Sequence, residues 1–137
     1  VTGNRKDAAM AANKTDVKLF RQRDQKFEMK DGSAVLALVN AGNSATIGAG
    51  IGVFEDCAVE WTVTYDEVLF IHEGKFRLRV GDVVYHAGPG DTLWIPAGTA
   101  LVYEADAPVT FFYAVYPATK SPSAMQKIDY PSAPPQR

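Results

Sequence analysis

Turn-forming residues recur so closely between Glu60 and Gly98 that no long helix fits among them. The runs that separate these turns are short, and they are either apolar or alternate between apolar and polar residues, which is typical of β-strands. The central third of the chain therefore predicts successive strands and tight turns. The turns are Gly74-Lys75, Gly81-Asp82, Gly88-Pro89-Gly90-Asp91 and Pro96-Ala97-Gly98.

Alternation predicts which side chains share a face. Trp61, Val63 and Tyr65 fall on one side of a predicted strand over Glu60–Tyr65, and polar residues fall on the other. With about nine to eleven strands and short turns, the chain is predicted to be an all-β, double-sheet jelly roll. The other predicted strands are Val17–Phe20, Ala34–Val39, Ala45–Phe54, Glu67–Glu73, Phe76–Val80, Val83–His86, Asp91–Ile95, Ala100–Ala105 and Val109–Tyr116.

The chain divides into one folded unit and two arms. A length of 137 residues with 47% hydrophobic composition fits a single domain with one core. Residues 1–16 are polar and alanine-rich, which predicts a flexible N-terminal arm. Residues 17–117 form the predicted barrel, and residues 118–137 form a Pro/Ser-rich C-terminal arm that is either disordered or extended along the barrel or a neighbouring subunit.

Charge and composition exclude several kinds of partner. A net charge of −2 without a basic block argues against nucleic acid, and no apolar run reaches the ~20 residues that span a bilayer. The single cysteine, Cys57, cannot form an internal disulfide, and it has no basic neighbour that would activate it. We therefore predict a cytoplasmic protein that binds a small molecule rather than nucleic acid or membrane.

Glycine occupies every second position in the Ala45–Phe54 strand, at Gly48, Gly50 and Gly52. This spacing removes the side chains from one face, so another backbone or a ligand can come close. The segment lacks the Lys-Ser/Thr ending of a phosphate loop, and no helix pattern follows it. Nucleotide binding through these glycines is therefore not predicted.

Two motifs resemble those of the cupin superfamily (RmlC-like). In Glu67–Gly74 a glutamate at a metal-ligand position precedes a glycine by seven residues along the chain, and Gly90–Gly98 holds a glycine followed later by Pro-x-Gly. Within that superfamily, the strings Glu60–Glu67 and Ala87–Asp91 resemble the cupin domain of the EutQ family of ethanolamine-utilisation proteins. The resemblance implies a double-stranded β-helix, or jelly-roll barrel, which here carries extended N- and C-terminal arms, and it implies a homodimer.

The residues that would hold the usual cupin metal are missing. The resemblance places two histidines before Glu67, where the chain has either Trp61 and Val63 or Glu60 and Thr62, and a third histidine at Leu101. One carboxylate does not hold a transition metal against water, so no cofactor is predicted. The remaining alternative is a divalent ion held weakly by Glu67, Asp66 and Tyr65. His72 and His86 are predicted to be surface or structural residues.

Two alternatives remain open for the function. The pocket is predicted to be mostly apolar, with one carboxylate and phenolic hydroxyls at the same level, as in small-molecule sites. In the first alternative, the protein is an enzyme that acts on a small polar metabolite with Glu67 as its acid/base. In the second, the protein is a non-catalytic ligand-binding or assembly module. A third, purely structural alternative has Glu67 bracing the barrel mouth. The predicted catalytic residues are Glu67, Tyr65 and Asp66, and the predicted ligand-binding residues are Trp61, Val63, Tyr103 and Leu101.

Aromatic residues near the end of the barrel have two predicted roles. In Val109–Tyr116 they alternate, so Phe111 and Tyr113 fall on the opposite face from Phe112 and Tyr116. We predict that one face fills the core and the other forms a subunit interface. Trp94 is predicted to belong to the core or to the interface.

Overall fold

The computed structural model describes residues 16–118, and within that range the chain forms nine strands and one short 3₁₀ helix, Gln22–Asp24. The predicted arms, residues 1–16 and 118–137, lie almost wholly outside the described residues. No described helix has the length and apolar character needed to cross a membrane. The strands are β1 (Ser33–Val39), β2 (Gly48–Phe54), β3 (Cys57–Thr62), β4 (Asp66–Glu73), β5 (Phe76–Val80), β6 (Val83–Ala87), β7 (Thr92–Ile95), β8 (Ala100–Ala105) and β9 (Val109–Tyr116).

The strands form two antiparallel sheets, which confirms the all-β jelly roll. One sheet has five strands in the order β1-β2-β9-β4-β7, and the other has four in the order β3-β8-β5-β6. Strand β4 buries every second side chain from Glu67 to Ile71, as expected for a strand with one face in a core. The core lies between the sheets, and rings of Phe54, Phe76, Tyr103 and Phe111 meet there at centroid distances of 5.1–6.2 Å.

Two predicted strands are corrected. Val17–Phe20 forms no strand: Val17 is 95% exposed and Leu19 70%, so these residues have no described face to bury against. The strand predicted over Glu60–Tyr65 is instead β3, which ends at Thr62. The chain turns there because the Val63 N–H donates to the Thr99 carbonyl, and the Val63 carbonyl accepts from the Gly98 N–H.

The glycines of β2 face the core, and their neighbours fill the space. Gly50 lies opposite Tyr113 and Gly52 opposite Phe111 in the β2–β9 pairing. A Cβ atom on Gly52 would collide with the Phe111 ring, and one on Gly50 would collide with the Leu36 carbonyl and lie 2.8 Å from the Tyr113 hydroxyl. The predicted close approach is therefore made by a backbone carbonyl and by side chains of β9.

The outer faces of the two sheets differ in chemistry. On the five-stranded sheet, large apolar side chains stay 36–61% exposed, and we call this set the outer apolar face. On the four-stranded sheet, Glu104 is buried beneath Arg77 and Arg79. The outer apolar face consists of Val68, Phe70, Trp94, Phe112 and Tyr116.

Candidate functional site

Glu67 lies inside the barrel near the start of β4. It pairs with Ile95 on β7 and Val115 on β9, and only 1% of its surface is exposed. Burial disfavours the charged form of a carboxyl group and raises the pKa of Glu67 to about 7, although a hydrogen bond from Tyr103 acts in the opposite direction. Glu67 can therefore gain or lose a proton near neutral pH.

The two oxygens of Glu67 differ in their hydrogen bonding. The Tyr103 hydroxyl donates to Oε1 at 2.7 Å. Oε2 is equally buried and has no hydrogen-bond partner within the part of the chain that the structure describes. Leaving a buried polar atom unsatisfied costs about 1–3 kcal/mol, so a protein keeps such an atom at a cost to its stability.

Three tyrosines share the interior with Glu67, and we call Glu67, Tyr65, Tyr103 and Tyr113 the acid–tyrosine cluster. Burial raises the pKa of Tyr65 and of Tyr103 well above 10, and the Glu67 charge raises both further. Burial and then the Glu67 charge raise the pKa of Tyr113 to about 12. The phenols therefore remain protonated across the physiological range.

Trp61 supports the cluster from β3. Its Nε1–H donates to the Tyr65 hydroxyl at 3.1 Å, and its ring is half-buried against the core. Val63 and Leu101 are buried beside it, with Leu101 paired to Trp61 in the β3–β8 register. The structure thus brings together six of the seven predicted site residues: Trp61, Val63, Tyr65, Glu67, Leu101 and Tyr103.

Asp66 is the predicted site residue that lies elsewhere. It precedes Glu67 in β4, so its side chain points to the opposite face, where it is exposed and Oδ1 accepts a hydrogen bond from the Ala97 N–H at 2.9 Å. The divalent site considered for Glu67, Asp66 and Tyr65 would need Asp66 on the inner face. Among residues 16–118, no group of three or more His, Cys, Asp or Glu side chains could hold a metal ion. The residues present do not fit the usual cupin metal.

Tyr113 is the cluster member that the sequence did not single out, since it was predicted only as part of an aromatic strand with one face in the core and the other at an interface. Its parity in β9 already pointed inward. The missing step was the pairing of Leu69 on β4 with Tyr113 on β9, residues far apart in the sequence. A second signal was Gly50, which makes room opposite the Tyr113 hydroxyl.

Two loops close the barrel beside Glu67. The turn after β3 and the turn after β7 are joined by the Val63–Thr99 and Gly98–Val63 hydrogen bonds, at 3.0 and 2.7 Å. The Ala97–Asp66 bond adds a third contact. We call these three hydrogen bonds the loop clasp, and they join the two turns to each other and to the start of β4.

An open groove of about 640 Å³ lies at the other end of β4, past Gly74. Lys75, Arg77 and His86 line it, but the Arg77 guanidinium is already held by Asp106 at 2.7 and 3.1 Å. His86 is exposed there, and His72 is exposed on β4. The groove is far from Glu67, so we place the candidate site at the buried carboxyl with its unsatisfied oxygen.

The two antiparallel sheets, together with the motifs Glu67–Gly74 and Gly90–Gly98, identify the fold as a cupin barrel. A solved RmlC-like cupin from Shewanella frigidimarina shares this fold, with a TM-score of 0.64, 14% identity, and coverage of 75% of this chain and 93% of that one. The solved ethanolamine utilization protein Q from Salmonella typhimurium has a TM-score of 0.69 and 27% identity, with coverage of 74% of this chain and 87% of that one.

The family model described as "Ethanolamine utilisation protein EutQ" matches residues 4–121 of this chain. The chain belongs to this family. A curated relative, the protein of Escherichia coli K12 named acetate kinase EutQ, is 27% identical over 110 residues, which cover 77% of this chain and 47% of the relative. The chain spans about half the length of the curated relatives that it matches.

Proposed function

We propose that the protein is a EutQ-like cupin that binds a small polar metabolite inside the barrel, beside Glu67. The observation that carries this proposal is Glu67 Oε2, a buried polar atom that accepts no hydrogen bond from residues 16–118. A polar group of a ligand at this oxygen would satisfy it. The surrounding phenols and apolar walls supply the composition of a small-molecule site.

In the enzyme form of the proposal, Glu67 is the acid/base. A general acid or base works best when its pKa lies near the operating pH, and burial brings that of Glu67 to about 7. Tyr103 already donates to the carboxyl and would hold its orientation. No His-ligated metal takes part in this proposal, because the residues at the ligand positions are not histidines.

The test is a thermal-shift screen of small polar metabolites, followed by a turnover assay on each hit. We expect a hit to raise the melting temperature of the wild type, and Glu67→Gln to keep the fold while losing both the shift and any turnover. Glu73→Gln is the matched control, since Glu73 is exposed at the far end of β4. Turnover by Glu67→Gln at the wild-type rate would remove the acid/base role.

The alternative is a non-catalytic ligand-binding or assembly module, and the outer apolar face favours it. Interface cores are enriched in aromatic residues, and four of the five residues that form this face are aromatic. We propose that two copies associate through it as a homodimer. This alternative predicts ligand-dependent stabilisation without product.

Location and pathway are parts of the same proposal. A single cysteine gives no reason for an oxidising compartment, which supports the cytoplasm. A place in ethanolamine utilisation rests on the family name. We do not extend the acetate kinase activity of the curated relatives to this chain, because a carboxyl without a described cationic partner would repel a phosphate group at this site.

A further inference from the structure

We infer that the acid–tyrosine cluster takes a small primary ammonium ion, whose N–H groups donate to Glu67 Oε2 and to neighbouring phenol oxygens. This inference rests on the proposed function and narrows its ligand to one chemical class. It is carried by the unsatisfied Oε2 and by the charges that surround Glu67.

A comparison of two buried glutamates shows what Glu67 lacks. Glu104 is as buried as Glu67, and its oxygens lie 2.9 Å from Arg77 Nε and 2.8 Å from Arg79 Nε. None of the described ion pairs includes Glu67. Its described hydrogen-bond partner is the hydroxyl of Tyr103, which carries no positive charge. Because a buried carboxylate needs a compensating charge, a cationic ligand would play the part that the arginines play at Glu104.

The walls of the cluster suit the same ligand. The groups that face Glu67 and can titrate are Tyr65 from the turn after β3, Tyr103 from β8 and Tyr113 from β9, and all three are neutral at pH 6–8. Phenol oxygens accept N–H hydrogen bonds, and the faces of aromatic rings attract cations. Among residues 16–118, an anion would meet only neutral phenols and the Glu67 carboxyl.

The packing limits the size of the ligand. Tyr65 and Val63 are fully buried, and the rings of Phe111 and Tyr113 fill the space opposite Gly52 and Gly50. The loop clasp covers the near end of the barrel. Because these residues are tightly buried, we expect access to require opening of the clasp and the ligand to be a cation with a short apolar tail.

The experiment titrates the protein with three probes of similar size, ethylammonium, acetamide and acetate, by calorimetry at pH 6 and pH 8. We expect ethylammonium to bind about tenfold more tightly at pH 8, because a carboxyl with a pKa of about 7 is mostly protonated at pH 6 and mostly ionised at pH 8. Binding should be lost in Glu67→Gln and kept in Glu73→Gln, since Glu73 is exposed at the far end of the same strand. Potassium chloride at equal ionic strength controls for a general salt effect.

Three results would overturn the inference. Ethylammonium that binds equally well to Glu67→Gln, with that variant folded by circular dichroism, would place the cation elsewhere. Glu67-dependent binding of acetate or acetamide in preference to ethylammonium would show the wrong ligand class while upholding the proposed site. If no probe binds, the ammonium inference fails, and a Glu67-dependent hit in the metabolite screen would still support the proposed function. As a second variant, Tyr103→Phe should weaken ethylammonium binding without abolishing it.

Discussion

Burial sets the protonation of Glu67, and this has a consequence for stability. The pKa is raised from an ordinary 4.5 to about 7 in the folded state, so folding favours the protonated form. The stabilisation from that proton is complete below pH 4.5 and is lost as the pH rises through 7. Each pH unit between the two pKa values is worth about 1.4 kcal/mol, so the loss is roughly 3 kcal/mol in total.

Glu67→Gln should remove this dependence, because the amide stays neutral at every pH. We expect the free energy of unfolding of the wild type, relative to this variant, to fall by roughly 3 kcal/mol between pH 4.5 and pH 8.5. Urea denaturation at several pH values measures this difference in the free energy of unfolding. The cluster tyrosines stay protonated over the whole of this pH range. Glu73→Gln, at an exposed position of the same strand, should follow the wild type, and parallel curves for wild type and Glu67→Gln would contradict the assigned burial effect.

Parity along single strands predicted most of the candidate site. It placed Tyr103 inward in the cluster and Trp61 inward beside it, whereas Tyr65 is buried from the turn after β3 and not from a strand. Asp66 was included because it adjoins Glu67, although neighbours in a strand point to opposite faces. Tyr113 could not be assigned to the cluster from parity alone, because the pairing of β4 with β9 depends on tertiary structure.

At the scale of elements, the loop clasp depends on one glycine. Gly98 has φ +94°, a conformation that L-residues adopt only under strain. Gly98→Ala should cost about 1–2 kcal/mol and speed hydrogen exchange at the Gly98 and Val63 amides. Gly88→Ala is the matched control, since its φ is ordinary and a Cβ there meets open space. Unchanged protection of both amides would show that the clasp tolerates the strain.

Strand β8 carries a second testable element, the Glu104 ion pairs. Glu104→Gln removes the negative charge that pairs with Arg77 and Arg79 and one of its two acceptor oxygens, and we expect the free energy of unfolding to fall by about 1–2 kcal/mol. The arginine side chains are 24% and 34% exposed, so solvent screens part of the charge.

The control for Glu104 is Asp106, which is 82% exposed and also pairs with Arg77. Asp106→Asn should change the free energy of unfolding by only about 0–1 kcal/mol, as for other surface pairs. Urea denaturation of both variants at low and high salt gives the comparison. Equal losses would mean that burial adds nothing to the Glu104 pairs.

For the whole molecule, the proposed dimer makes the outer apolar face the decisive surface. Phe70 and Phe112 lie side by side at its centre. Phe70→Lys places a charge there, and we expect the dimer dissociation constant to rise at least tenfold in analytical ultracentrifugation. Val83→Lys on β6 is the control, because Val83 is exposed on the other sheet. A wild-type protein that is monomeric at micromolar concentration would contradict the proposed dimer.

The architecture was more predictable from sequence than the chemistry. Turn spacing and the motifs around Glu67 and Gly90–Gly98 indicated the jelly roll, since these depend on local residues. The strand predicted over Val17–Phe20 was wrong, because an apolar run resembles a strand whether or not a sheet edge is available to pair with it. The Arg77–Glu104 ion pair was also not predicted, because it joins two strands that are distant in the sequence.

The two tryptophans of the chain lie in different parts of the fold, so their fluorescence can report on two different events. Trp61 touches the Tyr65 hydroxyl beside the cluster, whereas Trp94 is 61% exposed on the outer apolar face. In Trp94→Phe, the remaining indole emission reports events inside the barrel. In Trp61→Phe, it reports what covers the five-stranded sheet, so fluorescence of the two variants can follow occupancy and association separately.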